Sequence, residues 1–196
     1  LEFRRVLFRS AANINKLLQI SAGAAYTDNS EVVEFDCSPR LQVLKEALDE
    51  TSRKVLVFAP YRHSIDTIKA FLEKRRISCL PIHGDISASQ RARIFTSFQT
   101  TPDPRVLVIQ PQAASHGVTL TAADTVVFWG PVMSVETYLQ CMARADRVGQ
   151  TSDKVTVIHL EGSEIERRMF RQLDNRVSNH AMLIKLYEEE LAGKTT

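Results

Sequence analysis

The sequence predicts an α/β fold: a doubly wound, mostly parallel sheet with helices on both faces, followed by C-terminal helices. Three observations carry this. Short apolar runs such as Val55-Leu56-Val57-Phe58 read as strands buried on both sides. Segments of helical periodicity separate one such run from the next. The length of 196 residues suits one domain with an appendage, and 44% hydrophobic residues suffice for a core.

Residues 13–26 come first, with Ile14, Leu17, Leu18 and Ser21 at helical spacing, and Glu31–Cys37 reads as a short strand. Ser38-Pro39 predicts a capped helix to about Glu50, with Leu41, Val43, Leu44, Ala47 and Leu48 on its apolar positions. Residues 54–59 are the first strand of the rhythm, and the helix over 64–74 turns Ile65, Ile68, Phe71 and Leu72 inward. Residues 79–82 form the second strand, ending at His83-Gly84-Asp85. Ser87 with Gln90 makes a capping box for a helix through Phe98. The third, fourth and fifth strands are 106–109, 125–129 and 154–159. Ser163 and Glu166 repeat the capping spacing and open a helix with Ile165, Met169, Phe170 and Leu173 inward. A separate helix is expected over 176–191.

Net charge of +2 gives no case for nucleic acid by itself, so any cationic surface must be local. Cys37, Cys79 and Cys141 make neither a zinc spacing nor a disulfide framework, which points to a reducing, intracellular setting. No apolar run approaches the ~20 residues of a membrane span, and no membrane partner is expected. Residues 1–10 do not lead naturally into the segment after them, and EFRRVLFRS resembles translated adapter or linker sequence. Residues 1–12 are therefore set apart as linker-derived or disordered, and the chain reads as a fragment lacking its N-terminal side.

The stretch with most chemistry is QCMARADRVGQ, 140–150. A helix through it puts Gln140, Arg144 and Arg147 within roughly 60° of one another, opposite Val135, Tyr138, Leu139 and Met142. Gly149 falls where a positive φ is wanted. Arginine forks suit phosphate oxygens and stabilise charge in phosphoryl transfer; alone, the stretch reads equally as a solvated helix face. In 110–124, small residues around Gly117 allow close backbone approach to a phosphate or ribose, or serve tight packing. His83-Gly84-Asp85 is first a common turn and second a site. Arg91 and Arg93 read as surface or capping residues, His63, His159 and His180 as structural, and Glu188–Glu190 as a solvated face. Trp129 and Pro131 read first as packing at the edge of the sheet and second as a loop that touches a ligand. Gly193-Lys194-Thr195 lacks the glycine that a phosphate loop needs at Glu188, and no strand precedes it. No acidic pair follows a strand as a magnesium site, so the residues provide no means of holding a nucleotide alone.

Taken in order, KVLVFAPYRHSIDTI (54–68), LPIHGDISASQRARIFTSF (80–98), VLVIQPQAASHGVTLTAADTVVFW (106–129) and YLQCMARADRVGQ (138–150) resemble the C-terminal RecA-like lobe of superfamily-two helicases. The ending Arg-x-x-Arg-x-Gly-Gln is similar to the Swi/Snf branch of duplex-DNA translocases, with compact phage and bacterial forms nearest. The likeness covers roughly 13–175, leaving 176–196 as a helical extension and tail. It implies a lobe that completes an ATP site whose phosphate loop and Mg²⁺-binding carboxylates lie on a missing N-terminal RecA-like lobe, the first expected partner; double-stranded DNA is the second. It implies that Gln140, Arg144 and Arg147 face ATP, with Arg147 as the finger on the γ-phosphate, and that Gly117 senses nucleotide. His83, Gly84, Asp85, Gln110, His116 and Thr119 would line the DNA track. No metal ligand is expected in this chain. It implies an ATP hydrolase when whole, inactive as this piece, in the cytoplasm or nucleoid if bacterial or phage. The alternative is a nucleic-acid-binding or scaffold module that keeps the lobe without the motor. Departures from the family pattern are Gln110 for Ser or Thr, Ala114-Ser115 for Gly-Gly, Thr119 for Asn, Ala143 for a smaller residue, Asp146 for His or a neutral residue, and Gly130-Pro131-Val132-Met133 for Trp-Asn-Pro.

Overall fold

Five parallel strands, β3 (Lys54–Phe58), β4 (Cys79–Ile82), β5 (Val106–Ile109), β6 (Ala123–Phe128) and β7 (Thr156–His159), form one sheet. Their order across it is β4-β5-β3-β6-β7. The computed structural model describes residues 13–192 apart from 28, 30, 115 and 116, with side chains left undescribed at 114 and 179–192. Residues 1–12, His116 and Gly193-Lys194-Thr195 thus lie outside the described residues.

Strand alternation explains the two-sided core. Val55 and Val57 of β3 join Val106, Val108, Val127 and Trp129 on one face. There they pack on Leu44 and Leu48 of α2 (Ser38–Asp49) and on Ile65, Ile68 and Leu72 of α3 (Arg62–Lys74). Leu56 and Phe58 join Leu107, Ile109, Val126 and Phe128 on the other face. These meet Phe95 and Phe98 of α4 (Ala88–Thr100), Tyr138 and Cys141 of α5 (Val135–Met142), and Phe170 and Leu173 of α6 (Glu164–Ala192). Both faces of each central strand are covered, which is why these strands read as unbroken apolar runs.

The N-terminal segment departs from expectation. Residues 13–21 are helical (α1), but the helix stops short of Tyr26 because Gly23 adopts φ 106° beside Cys37, whose Sγ would lie 3.1 Å from an added Cβ. The chain then forms β1 (Ala24–Tyr26), antiparallel to β2 (Val32–Glu34) in a separate two-stranded sheet. The strand expected over Glu31–Cys37 shrinks to these three exposed residues because only β1 pairs with it.

The Ser87–Gln90 capping box forms as expected. At α2 the expected serine cap does not: Ser38 is already helical, the cap position is Cys37, and no side chain caps it. Instead the Asp36 carboxylate accepts the Ser38 backbone N–H at 2.9 Å. The two helices expected at the C-terminal end are one, α6, unbroken through 176 because no glycine or proline interrupts it. No described helix is long and apolar enough to cross a membrane, and the three cysteines are free.

Candidate functional site

The chain runs from β3 to β4 and β5 on one side, then to β6 and β7 on the other. This places a topological switch beside β3, and ligands of open α/β sheets meet the strand ends at such a point. From the carboxyl end of β5, a 3₁₀ turn (Pro111–Ala114) begins the connection that passes Gly117 and returns to the start of β6.

The arginine stretch is not one helix, which corrects the expectation. α5 ends at Met142, and the chain continues in turns from Ala143 to Gly149. The helix is stopped by contacts with the Gly117 connection: Leu120 N–H donates to Arg144 O at 2.7 Å, and Arg144 Nη1 to Val118 O at 3.2 Å. Arg147 Nη1 donates to Gly117 O at 2.9 Å. Gly149 takes φ 99°, as its position requires. Val135, Tyr138, Leu139 and Met142 remain buried or half-buried.

The two arginines differ in environment. Arg144 is buried, at 7% exposure; its Nε donates to Gln140 O at 3.0 Å, and its pKa is lowered by burial and then by Arg147 nearby. Arg147 is exposed and keeps donors free beyond the bond to Gly117. Gln140 lies one turn back, where its side-chain Nε2 donates to Glu136 at 3.1 Å. Asp146 is exposed and makes no ion pair with either arginine among the described residues. Gly117 has φ 59°, and an added Cβ would meet nothing within 4 Å, so backbone conformation and open space, not packing, mark this position. Thr119 lies half-buried within the same connection.

The second cluster adjoins it through the sheet, since Gln110 N–H donates to Ile82 O at 2.8 Å. His83 is buried at 8% exposure, while Gly84 and Asp85 are exposed. Arg62, at the start of α3, meets His83 Nδ1 at 2.6 Å, Asp85 at 2.7 Å and Asp66 at 3.1 Å. Burial first, then the Arg62 charge, lowers the His83 pKa, so a neutral imidazole accepts from Arg62. Arg91, expected among surface or capping residues, is half-buried and caps no helix end; its Nη2 donates to Ile86 O at 3.2 Å and so ties α4 to the loop before it.

Sequence reasoning missed Arg62, although it lies just past a strand end, where ligand contacts gather. It also missed the buried pair of Arg40 and Glu166: Glu166 was read only through its capping spacing with Ser163, and the position of Arg40 inside an amphipathic helix carries no distinguishing signal. Arg40 Nη2 meets Glu166 Oε2 at 2.6 Å, and Arg40 Nη1 donates to the Trp129 carbonyl. Trp129 itself is fully buried, with Nε1 donating to Ala22 O at 3.0 Å, which agrees with packing. Among the described residues no group of His, Cys, Asp or Glu could hold a metal ion.

The helicase conserved C-terminal domain model matches residues 39–149. Helicase SWR1 of Eremothecium gossypii is 30% identical over 190 residues, covering 91% of this chain and 12% of that protein. Chromatin-remodeling ATPase INO80 of Mycosarcoma maydis is 30% identical over 164 residues, covering 82% and 8%. The SWI/SNF-related matrix-associated actin-dependent regulator of chromatin subfamily A-like protein 1 homolog of Caenorhabditis elegans is 39% identical over 112 residues, covering 57% and 16%. The chain thus spans a small part of each. These relatives are fungal and animal and lend nothing to a phage or bacterial affinity. Among solved structures, the C-terminal part of the Fun30 ATPase domain superposes with TM-score 0.63 at 23% identity, covering 67% of this chain and 44% of that one. The C-terminal domain of the DEAD-box protein Dbp5 gives 0.61 at 16%, covering 72% and 80%. The fold is therefore RecA-like.

Proposed function

Because the chain belongs to the helicase conserved C-terminal domain family, we propose that it is the C-terminal motor lobe of an ATP-dependent DNA translocase or helicase of the Swi/Snf kind. It completes an ATP site opened by an N-terminal lobe and acts in the cell on chromatin-like DNA. The observation that carries this reading is Arg147: an exposed guanidinium on a turn, tethered by a neutral carbonyl at Gly117 and therefore uncompensated in charge. A permanent cation of this kind stabilises the charge that develops on a transferring γ-phosphoryl group.

Arg144 contributes differently. Its burial and its bonds to Gln140 O and Val118 O make it the brace that joins α5 to the Gly117 connection. Gln140 supports that brace through its backbone. When Arg147 turns to a phosphate it leaves Gly117 O, so nucleotide state reaches the segment that holds Thr119. Magnesium chemistry belongs to the other lobe, and no step here passes through it. On the neighbouring strand ends, Arg62, Gly84, Asp85 and Gln110 line a surface for the DNA backbone, with Arg62 as its permanent cation. His116 belongs to the same proposed track.

The test is ATP hydrolysis by the full-length protein, with and without duplex DNA, in wild type and Arg147→Ala. DNA-stimulated turnover in the wild type, lost in a variant that still binds ATP, supports the motor. DNA binding without hydrolysis in either protein would identify a scaffold module instead.

A further inference from the structure

The helix that would have held the arginines rigidly is absent at Arg147, so something else must place that guanidinium. The turn from Asp146 to Gly149 has no packing of its own: all four residues are exposed, Val148 at 97%. An added Cβ at Gly149 would meet nothing within 4 Å. The Gly117 carbonyl holds the side chain, so the position of the turn's backbone must come from the two flanks. On the near side the flank is Ala145, fully buried.

On the far side it is Gln150. Its half-buried carboxamide joins segments that are distant in sequence. Nε2 donates to Ala123 O, at the start of β6, at 2.8 Å and to Ala145 O at 3.0 Å. Oε1 accepts the Ser152 N–H at 3.0 Å. The Gln150 backbone N–H donates to Arg147 O at 3.0 Å. One residue thus closes the turn on itself and pins it to a central strand. The exposed bond from Arg53 to Thr151 adds a weaker tie beyond it.

We propose that Gln150 is the positioning residue for Arg147, fixing the turn from which the guanidinium reaches a phosphate; this rests on Arg147 acting as the finger. The amide is specific to the task because two carbonyls need two donors while one N–H needs an acceptor. Glutamate has the same shape but as a carboxylate offers no donor, and two carbonyl dipoles then face a negative charge.

The experiment uses the full-length protein as wild type, Gln150→Glu, Gln150→Ala and Arg147→Ala. Measured are kcat and KM for ATP, affinity for a non-hydrolysable ATP analogue, melting temperature, and kcat against pH. Gln150→Glu should lose about 10²-fold in kcat, the scale of a 1 Å misplacement, with KM and analogue affinity little changed. Its relative turnover should climb as pH falls and the carboxyl, once protonated, regains a donor; the wild type should lack that limb. If Gln150→Glu matches the wild type while Arg147→Ala is dead, the positioning role is overturned and the finger stands. If kcat, analogue affinity and melting temperature fall together with no pH rescue, Gln150 is only a structural anchor and the proposal fails. If Arg147→Ala turns over normally, the finger assignment falls and this inference with it.

Discussion

Arg40 and Arg147 carry the same guanidinium into opposite surroundings. Arg40 is 8% exposed and spends its donors on Glu166, on the Trp129 carbonyl and, at 3.4 Å, on Leu160 O. Glu166 is fully buried, and its Oε2 also accepts Gly162 N–H at 2.9 Å and Ser163 Oγ at 3.0 Å. Together they tie α2 and α6 to the carboxyl ends of β6 and β7. Arg147 is exposed and meets no carboxylate among the described residues. Charge that is matched and buried builds the frame, whereas charge left unmatched on a turn stays available to a ligand. The comparison also shows why residue type alone does not assign a role.

The sharpest way to break this contrast is Arg147→Ala. If Arg147 is the finger, any ATP turnover by the full-length protein should fall ~10³-fold or more, while stability moves within about 0.5 kcal/mol, as for an exposed substitution. A large loss of stability in urea melts would put Arg147 in the frame with Arg40. The converse variant, Arg40→Ala, leaves Glu166 buried without its partner and should cost about 3–5 kcal/mol, measured by the same melts. A cost below about 1 kcal/mol would mean that the pair behaves like an exposed one.

Smaller changes sharpen the same comparison. In Gly162→Ala the new Cβ would lie 2.5 Å from Arg40 Nη2, so the guanidinium must shift and disturb its bonds to Glu166 and the Trp129 carbonyl. Stability should drop by more than the ~1 kcal/mol typical of point changes. Gly149→Ala meets no neighbour but forces φ 99° on an alanine, at a cost of about 1–3 kcal/mol in local strain. It should therefore reduce turnover more than it lowers the melting temperature of the lobe.

The smallest expected effect is on pH dependence. Burial lowers the His159 pKa, partly offset by Asp174 and Glu161, while Tyr138 Oη lies 2.7 Å from Nε2 and Phe170 stacks on the ring at 4.1 Å. A lowered folded pKa means that the unfolded chain binds the proton first. Stability should thus fall as pH drops below about 6.5 and level off once the folded pKa is passed. His159→Phe should flatten that limb relative to the wild type in melts from pH 7 to 5; an unaltered slope would assign it elsewhere, with His83 the next group whose pKa is lowered.

Much of the frame was legible in the chain because its signals are local. Short strand-like runs marked the five strands of the parallel sheet, and Ser87 with Gln90 gave a true capping box. Gly149 was read as a positive-φ position and is one. The site was only partly legible. Helical periodicity grouped Gln140, Arg144 and Arg147 on one face, but hydrogen bonds from a connection over twenty residues earlier in the chain end the helix at Met142. Long-range pairing of this kind overrides local propensity and leaves no trace in spacing.

By itself the sequence determined the layering, the chain order of the strands in the parallel sheet and the family motifs. The layering and the order arise from hydrophobic period and turn chemistry, which act between near neighbours; the motifs rest on residue identity alone. Tertiary structure alone decided which arginine is matched and which is free. Sequence carries neither the distance to a counter-charge nor exclusion from water. Both arise only when Glu166 is brought against Arg40; Gly117 gives Arg147 a neutral carbonyl and leaves it exposed.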